Sequence, residues 1–109
     1  MMLETFRLIG RLPLHGVKIH HLQIVRGTPL EEEYRRERFP LPGPEEYVRI
    51  LADGLELLPP SLVIHRLSGD QPRKYLLAPL WNWDKARLIR ALAAEFQQRR
   101  SAQGSRFQP

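Results

Sequence analysis

VKIHHLQIVR, residues 17–26, is the stretch on which the fold turns. It is rich in Val and Ile, closes on Gly27, and reads as a β-strand. Alternation along a strand puts Val17, Ile19, His21, Gln23 and Val25 on one face and Lys18, His20, Leu22, Ile24 and Arg26 on the other. Both faces carry apolar residues, as in a strand covered on both sides within a parallel sheet. A slip of one residue exchanges the faces, so the pattern leaves open which set turns inward.

Downstream, Thr28 can cap a short helix opened by Pro29, and Glu31 and Glu32 lie four residues before Arg35 and Arg36, a favourable order for ion pairs. The run from Pro40 to Pro44 breaks the chain. Pro44 then opens a helix to about Leu58, with Tyr47, Val48, Leu51, Leu55 and Leu58 as one apolar stripe. Gly54 is its weak point, costing about 1 kcal/mol against Ala. Pro59 and Pro60 end it, and residues 62–65 (LVIH) read as a second strand. Strand, helix and strand at this spacing make a βαβ unit. A polar loop covers residues 68–73. Asp84 caps a last helix whose apolar side is expected at Ala86, Ile89, Leu92, Ala93 and Phe96. Upstream, residues 3–12 have helical apolar spacing, stopped by Pro13, and Gly104 begins a polar tail. The expected fold class is α/β: a βαβ unit within residues 1–83 that reads as a piece of a larger α/β sheet or barrel, then a basic C-terminal helix and tail over 84–109. Two strands alone leave unpaired edges, so a larger sheet, a missing barrel portion or a second copy of the chain is expected beside them.

At 109 residues, 42% hydrophobic and 27% charged, the chain fits one globular domain. No run approaches the ~20 apolar residues of a membrane span, and no basic-then-apolar segment opens the sequence, so a cytoplasmic protein without membrane attachment is expected. There is no cysteine, which removes disulfides, thiolate metal sites and cysteine nucleophiles together. The net charge is +5, with six bases against two acids from Asp84 onward. That bias suits a polyanion such as RNA.

Successive residues on a strand face apart, so His20 and His21 cannot converge on one ion, and no metal site is expected. Sites in α/β sheets and barrels sit at the C-terminal ends of strands, where residues 23–28 and 65–70 both fall. Gly27-Thr28-Pro29 reads first as strand exit, turn and cap, and its free amides could also hold an anion. Arg66 can pair with Asp70, and Arg73 and Lys74 could meet an anionic substrate. Trp81 and Trp83 read first as anchors of the last helix. Their alternative is base stacking beside Lys85, Arg87, Arg90, Arg99 and Arg100. No nucleophile–base arrangement stands out.

The ordered landmarks His20-His21-Leu22, Arg26-Gly27-Thr28-Pro29, Leu58-Pro59-Pro60, Val63-Ile64-His65-Arg66 and Gly69-Asp70 resemble the C-terminal third of bacterial radical S-adenosylmethionine (radical SAM) proteins. These are the iron–sulfur oxidoreductases similar to oxygen-independent coproporphyrinogen oxidase and the elongator-type catalytic subunit. The resemblance implies the closing strands of a partial (β/α) barrel. It implies that His21, Leu22 and Gln23 line the S-adenosylmethionine pocket, with Arg26, Gly27, Thr28, His65, Arg66, Asp70 and Arg73 at the pocket rim. The family's four-iron four-sulfur cluster sits on a CxxxCxxC loop that this sequence lacks. The chain alone is therefore expected to hold no cofactor and to be inactive. The competing reading is a small basic cytosolic module that binds RNA or a protein partner without catalysis.

Overall fold

The computed structural model describes residues 2–69 and 74–108. In chain order the elements are α1 (Met2–Gly10), β1 (Gly16–Lys18), β2 (Ile24–Val25), α2 (Pro29–Glu37), α3 (Pro44–Leu55), β3 (Val63–Arg66), β4 (Leu76–Ala78) and α4 (Lys85–Arg99). β1 and β3 pair in parallel, with Gly16 beside Val63 and Val17 beside Ile64. With α2 and α3 between them, they form the βαβ unit that the sequence implies. The mixture of helix and strand with small sheets makes this an α/β fragment.

The expected strand over residues 17–26 is two strands in two sheets. Its first half follows β3 only as far as Ile19, whose N–H donates to the carbonyl of Arg66, the last residue of β3. The parallel partner runs out there. Ladder bonding resumes at Ile24, against a different strand: β2 pairs antiparallel with β4, and Arg26 donates to the Tyr75 carbonyl. β4 is a strand that the sequence reading does not contain.

The core lies on one side of β1 and β3. Phe6 from α1, Tyr47, Val48, Leu51, Ala52 and Leu55 from α3, and Leu88 and Leu92 from α4 form it, with Leu58 and Leu62. Val17, Ile19 and Ile64 pack against it from the sheet. Lys18, Val63 and His65 are exposed, and Val63 stands at 53%. The face of β1–β3 away from the helices is therefore bare, and the inward set at the start of the 17–26 run is that of Val17 and Ile19.

α3 follows its expected stripe but ends at Leu55, and residues 56–58 continue as tight turns that still bury Leu58. Gly54 has a packing reason: a Cβ there would sit 2.5 Å from the Phe6 ring. The ~1 kcal/mol lost to glycine in a helix is what permits α1 and α3 to approach.

α4 buries Leu88 and Leu92, while Ala86, Ile89 and Ala93 are exposed, so the face named from the sequence is displaced. The inner line is Leu88, Leu92, Glu95, Phe96 and Arg99. Its polar members pair with each other and with the end of α3: the Arg99 guanidinium bonds Glu95 Oε2 of its own helix at 2.6 Å and Asp53 Oδ1 of α3 at 2.7 Å, and lies 3.5 Å from Glu56 Oε1 just past α3. Glu56 is buried and also accepts from the Ser101 hydroxyl at 2.6 Å.

The tail docks as well. Gly104 N donates to Leu55 O at 3.0 Å, joining the Leu58 N–H there, and Arg106 N donates to Glu56 O at 2.8 Å, which satisfies a carbonyl just past the end of α3. The Gln103 amide donates to the carbonyls of Pro59 and Leu62. Gly104 adopts φ +88°, and a Cβ there would meet Pro60 at 2.6 Å, so conformation and space both require glycine.

Candidate functional site

The C-terminal ends of β1 and β3 lead into a shallow pocket of about 340 Å³. His21 and Gln23 enter it from the segment between β1 and β2, Ser68 and Gly69 from beyond β3, and Trp81 and Trp83 from the approach to α4. His21 organises it. Its Nδ1 accepts the Gly69 N–H at 3.1 Å, tying the segment after β1 to the loop after β3. Its ring stacks on Trp81 with centroids 4.3 Å apart at 22°, and meets Tyr47 edge-on at 5.4 Å. The Tyr47 hydroxyl donates to Leu67 O at 2.6 Å, fixing the exit of β3 from below. Nδ1 acts as an acceptor, so the proton of the neutral ring resides on Nε2.

Burial holds the His21 pKa below its ordinary 6.5, with the neighbouring His20 adding in the same direction. The sign of the consequence is fixed. A folded imidazole that resists protonation contributes fully above pH 6.5, where both states are neutral, and its contribution is lost as pH falls from 6.5 through the lower folded value. Urea midpoints measured from pH 8 down to pH 5 should therefore decline, and His21→Gln should flatten that decline. Equal slopes in the two proteins would refute it. Glu31, whose carboxylate is held below its usual range by Arg35 and the Gly27 amide, titrates below this window.

The pocket gathers only some of the residues picked from the sequence. His21 and Gln23 line it. Leu22 points away from it and is 53% exposed. His65 is exposed on the bare sheet face, and Arg66 ends β3. Asp70 and Arg73 lie outside the described residues. Arg26, Gly27 and Thr28 sit at the head of α2. There Thr28 Oγ1 donates to Val25 O at 2.7 Å and accepts the Glu31 N–H, while Glu31 Oε1 accepts the Gly27 N–H at 2.7 Å. This reciprocal capping places the chain's own carboxylate on the helix N-terminus.

Sequence reasoning missed Gly69, Tyr47 and Trp81 as partners of His21. The helical stripe places Tyr47 in the core, but no signal announces that its hydroxyl reaches the β3 exit. Trp81 and Trp83 both pack against the core, in the anchoring role expected first, and the Arg87 guanidinium stands 4.5 Å from the Trp83 ring centre. Of the C-terminal bases, Arg99 is committed to acids of α3 and α4. No group of three or more His, Cys, Asp or Glu among the described residues could hold a metal. No helix among them is long and apolar enough to cross a membrane.

The family model of the radical SAM C-terminal domain matches residues 14–98. The chain belongs to that family. The match begins just before β1 and ends in the last turn of α4, so it covers both small sheets and the pocket between them. Uncharacterized protein YtqA of Bacillus subtilis is 34% identical over 108 residues, 99% of this chain and 34% of the relative. Uncharacterized protein MJ0486 of Methanocaldococcus jannaschii is 32% identical over 107 residues, 97% of this chain and 33% of the relative. Protein YhcC of Escherichia coli is 30% identical over 79 residues. The chain thus spans about a third of the length of the first two. The iron–sulfur cluster of radical SAM proteins finds no thiolate donor in this radical SAM C-terminal domain, which has no cysteine.

Proposed function

We propose that this chain is the closing part of a radical SAM barrel, in which it walls the distal side of the cofactor and substrate pocket. The observation that carries the reading is the one-sided β1–β3 sheet. Helices cover the face of Val17 and Ile64, while Lys18, Val63 and His65 stand on a bare face. A parallel sheet is ordinarily covered on both sides. In a barrel the bare face becomes the lining of the interior, and the strand ends that carry His21, Gln23 and Gly69 become part of the mouth. The role of these residues is to shape and orient. The imidazole Nε2 of His21 is its remaining polar atom for a ligand, because Nδ1 is held by Gly69. Cluster-dependent cleavage of S-adenosylmethionine would belong to cysteines elsewhere. The order of motifs from His20 to Gly69 is similar to that of the coproporphyrinogen oxidase and elongator-type groups, which supports an iron–sulfur oxidoreductase of that kind.

The test is a transplant. Residues 1–109 replace the matching third of the Bacillus relative, and parent and chimera are reconstituted with iron and sulfide without oxygen. Under a strong reductant, the chimera should release 5′-deoxyadenosine from S-adenosylmethionine if the parent does. A chimera that folds and holds its cluster as the parent does, yet yields none, overturns the reading.

A further inference from the structure

A second concave site lies where α1 meets the docked tail, about 420 Å³ in volume and lined by Arg7, Arg11, Leu57, Arg106, Phe107 and Gln108. It shares no residue with the His21 pocket. Leu57 follows the C-terminus of α3, and a crossover helix runs back against its strands, so this cleft opens at the opposite end of the sheet.

Three arginines line it, and among the described residues no carboxylate side chain lines it and none of the three has an ion-pair partner. Three other arginines are engaged within the chain: Arg35 is paired with Glu31, Arg99 with Asp53 and Glu95, and Arg87 lies over Trp83. The backbone beneath the three is held. Arg7 belongs to α1, Arg11 N donates to Leu8 O at 3.1 Å, Arg106 N donates to Glu56 O, and Phe107 N donates to Gly104 O at 3.0 Å. The Phe107 ring lies over Gly10, where a Cβ would come 3.5 Å from it, and α1 closes to 3.0 Å from Leu57 O by the same measure. Like charges gathered on a fixed frame repel one another, and a bound anion removes that cost. Guanidiniums match the oxygens of a phosphate in forked pairs. The volume exceeds what a bare phosphate needs, and the remaining wall is an aromatic ring and a leucine.

We infer that this cleft binds a nucleotide, its phosphate on Arg7, Arg11 and Arg106 and its flat base against Phe107. A free mononucleotide and a nucleotide within an RNA strand share this chemistry. Calorimetric titration of the chain with adenosine 5′-monophosphate, inorganic phosphate and a 5′-phosphorylated oligoadenylate of about ten residues tests the inference and separates the sources. The monophosphate should bind more tightly than inorganic phosphate. Arg7→Gln, Arg11→Gln and Arg106→Gln should each weaken it about tenfold, as loss of a charge-assisted bond does. Phe107→Leu should bring its affinity down towards that of inorganic phosphate. Arg90→Gln, on exposed α4, should leave both unchanged. Equal affinities for oligomer and monomer mark the free nucleotide as ligand, whereas oligomer affinity that falls steeply with salt, less so in Arg7→Gln, marks the strand. No binding of the monophosphate at millimolar concentration overturns the inference, as does binding that Arg90→Gln weakens as much as Arg7→Gln. The arginine side chains in question are exposed, and unchanged circular dichroism of each variant secures the comparison.

Discussion

Tyr47→Ala is expected to lower the unfolding free energy by about 4 kcal/mol, the largest loss for a single residue in this domain. Tyr47 is 1% exposed at the junction of α3, His21 and Trp81. Truncation removes the transfer energy of an aromatic ring and leaves a cavity, together about 3–5 kcal/mol for large aromatics. It also strips the Leu67 carbonyl of its 2.6 Å hydrogen bond, and an unmatched buried acceptor costs about 1–3 kcal/mol, partly recovered where water enters. Domains of this size are stable by only about 5–15 kcal/mol, so the variant should be substantially unfolded at moderate urea. Tyr47→Phe separates the two contributions. It keeps the ring and should lose about 1 kcal/mol from the missing hydroxyl. Urea unfolding followed by tryptophan fluorescence, in which Trp81 reports directly, measures both. A Tyr47→Ala loss below about 2 kcal/mol would show that the ring is not the keystone of the strand-end pocket.

Arg99→Ala should cost about 3 kcal/mol. The guanidinium serves three carboxylates, and Glu56 is the one that decides the magnitude because it is 5% exposed. Removing one partner of a buried pair leaves an uncompensated charge, which costs about 3–5 kcal/mol when burial is complete. Arg99 is itself 23% exposed and Glu56 keeps its Ser101 bond, so the lower end applies. The control is a double-mutant cycle. In a Glu56→Gln background the same substitution should cost at least about 1 kcal/mol less, because no buried charge is then stranded. Strict additivity would place the cost in lost packing of the arginine stem instead.

Local chemistry was legible in the sequence where one residue acts on its immediate neighbours. Thr28 and Asp84 cap the helices they were expected to cap, and Asp84 Oδ1 accepts the Arg87 N–H at 2.7 Å. The stripe from Tyr47 to Leu58 is buried as read. What failed depended on partners distant in the chain. The 17–26 run has strand composition throughout, yet its ladder lasts only as long as β3 beside it, and its second half is claimed by β4. The inner line of α4 was partly hidden because two of its five members are polar: Glu95 and Arg99 face inward since α3 supplies Asp53, and Ile89 then takes a surface position. Gly54 reads as a defect until Phe6 is placed against it. In the pocket, alternation could place His21 and Gln23 on one side and Leu22 on the other, but not Trp81 and Gly69, which arrive from about 50–60 residues away in the sequence.

The docked tail carries a consequence for how the polypeptide is made. Helix α3 is complete as a length of chain by Leu55, but the Glu56 carbonyl just beyond it receives its donor from Arg106, and the Leu55 carbonyl, already bonded by the Leu58 N–H, gains a second donor from Gly104. A ribosome reading from the amino end delivers those donors about fifty residues later. Until then the nascent chain must leave the Glu56 carbonyl to water, and the Glu56 carboxylate must wait for both Arg99 and Ser101. The domain therefore cannot lock until residue 106 has been added. Its last internal hydrogen bonds wait for residues 99–106 to be made.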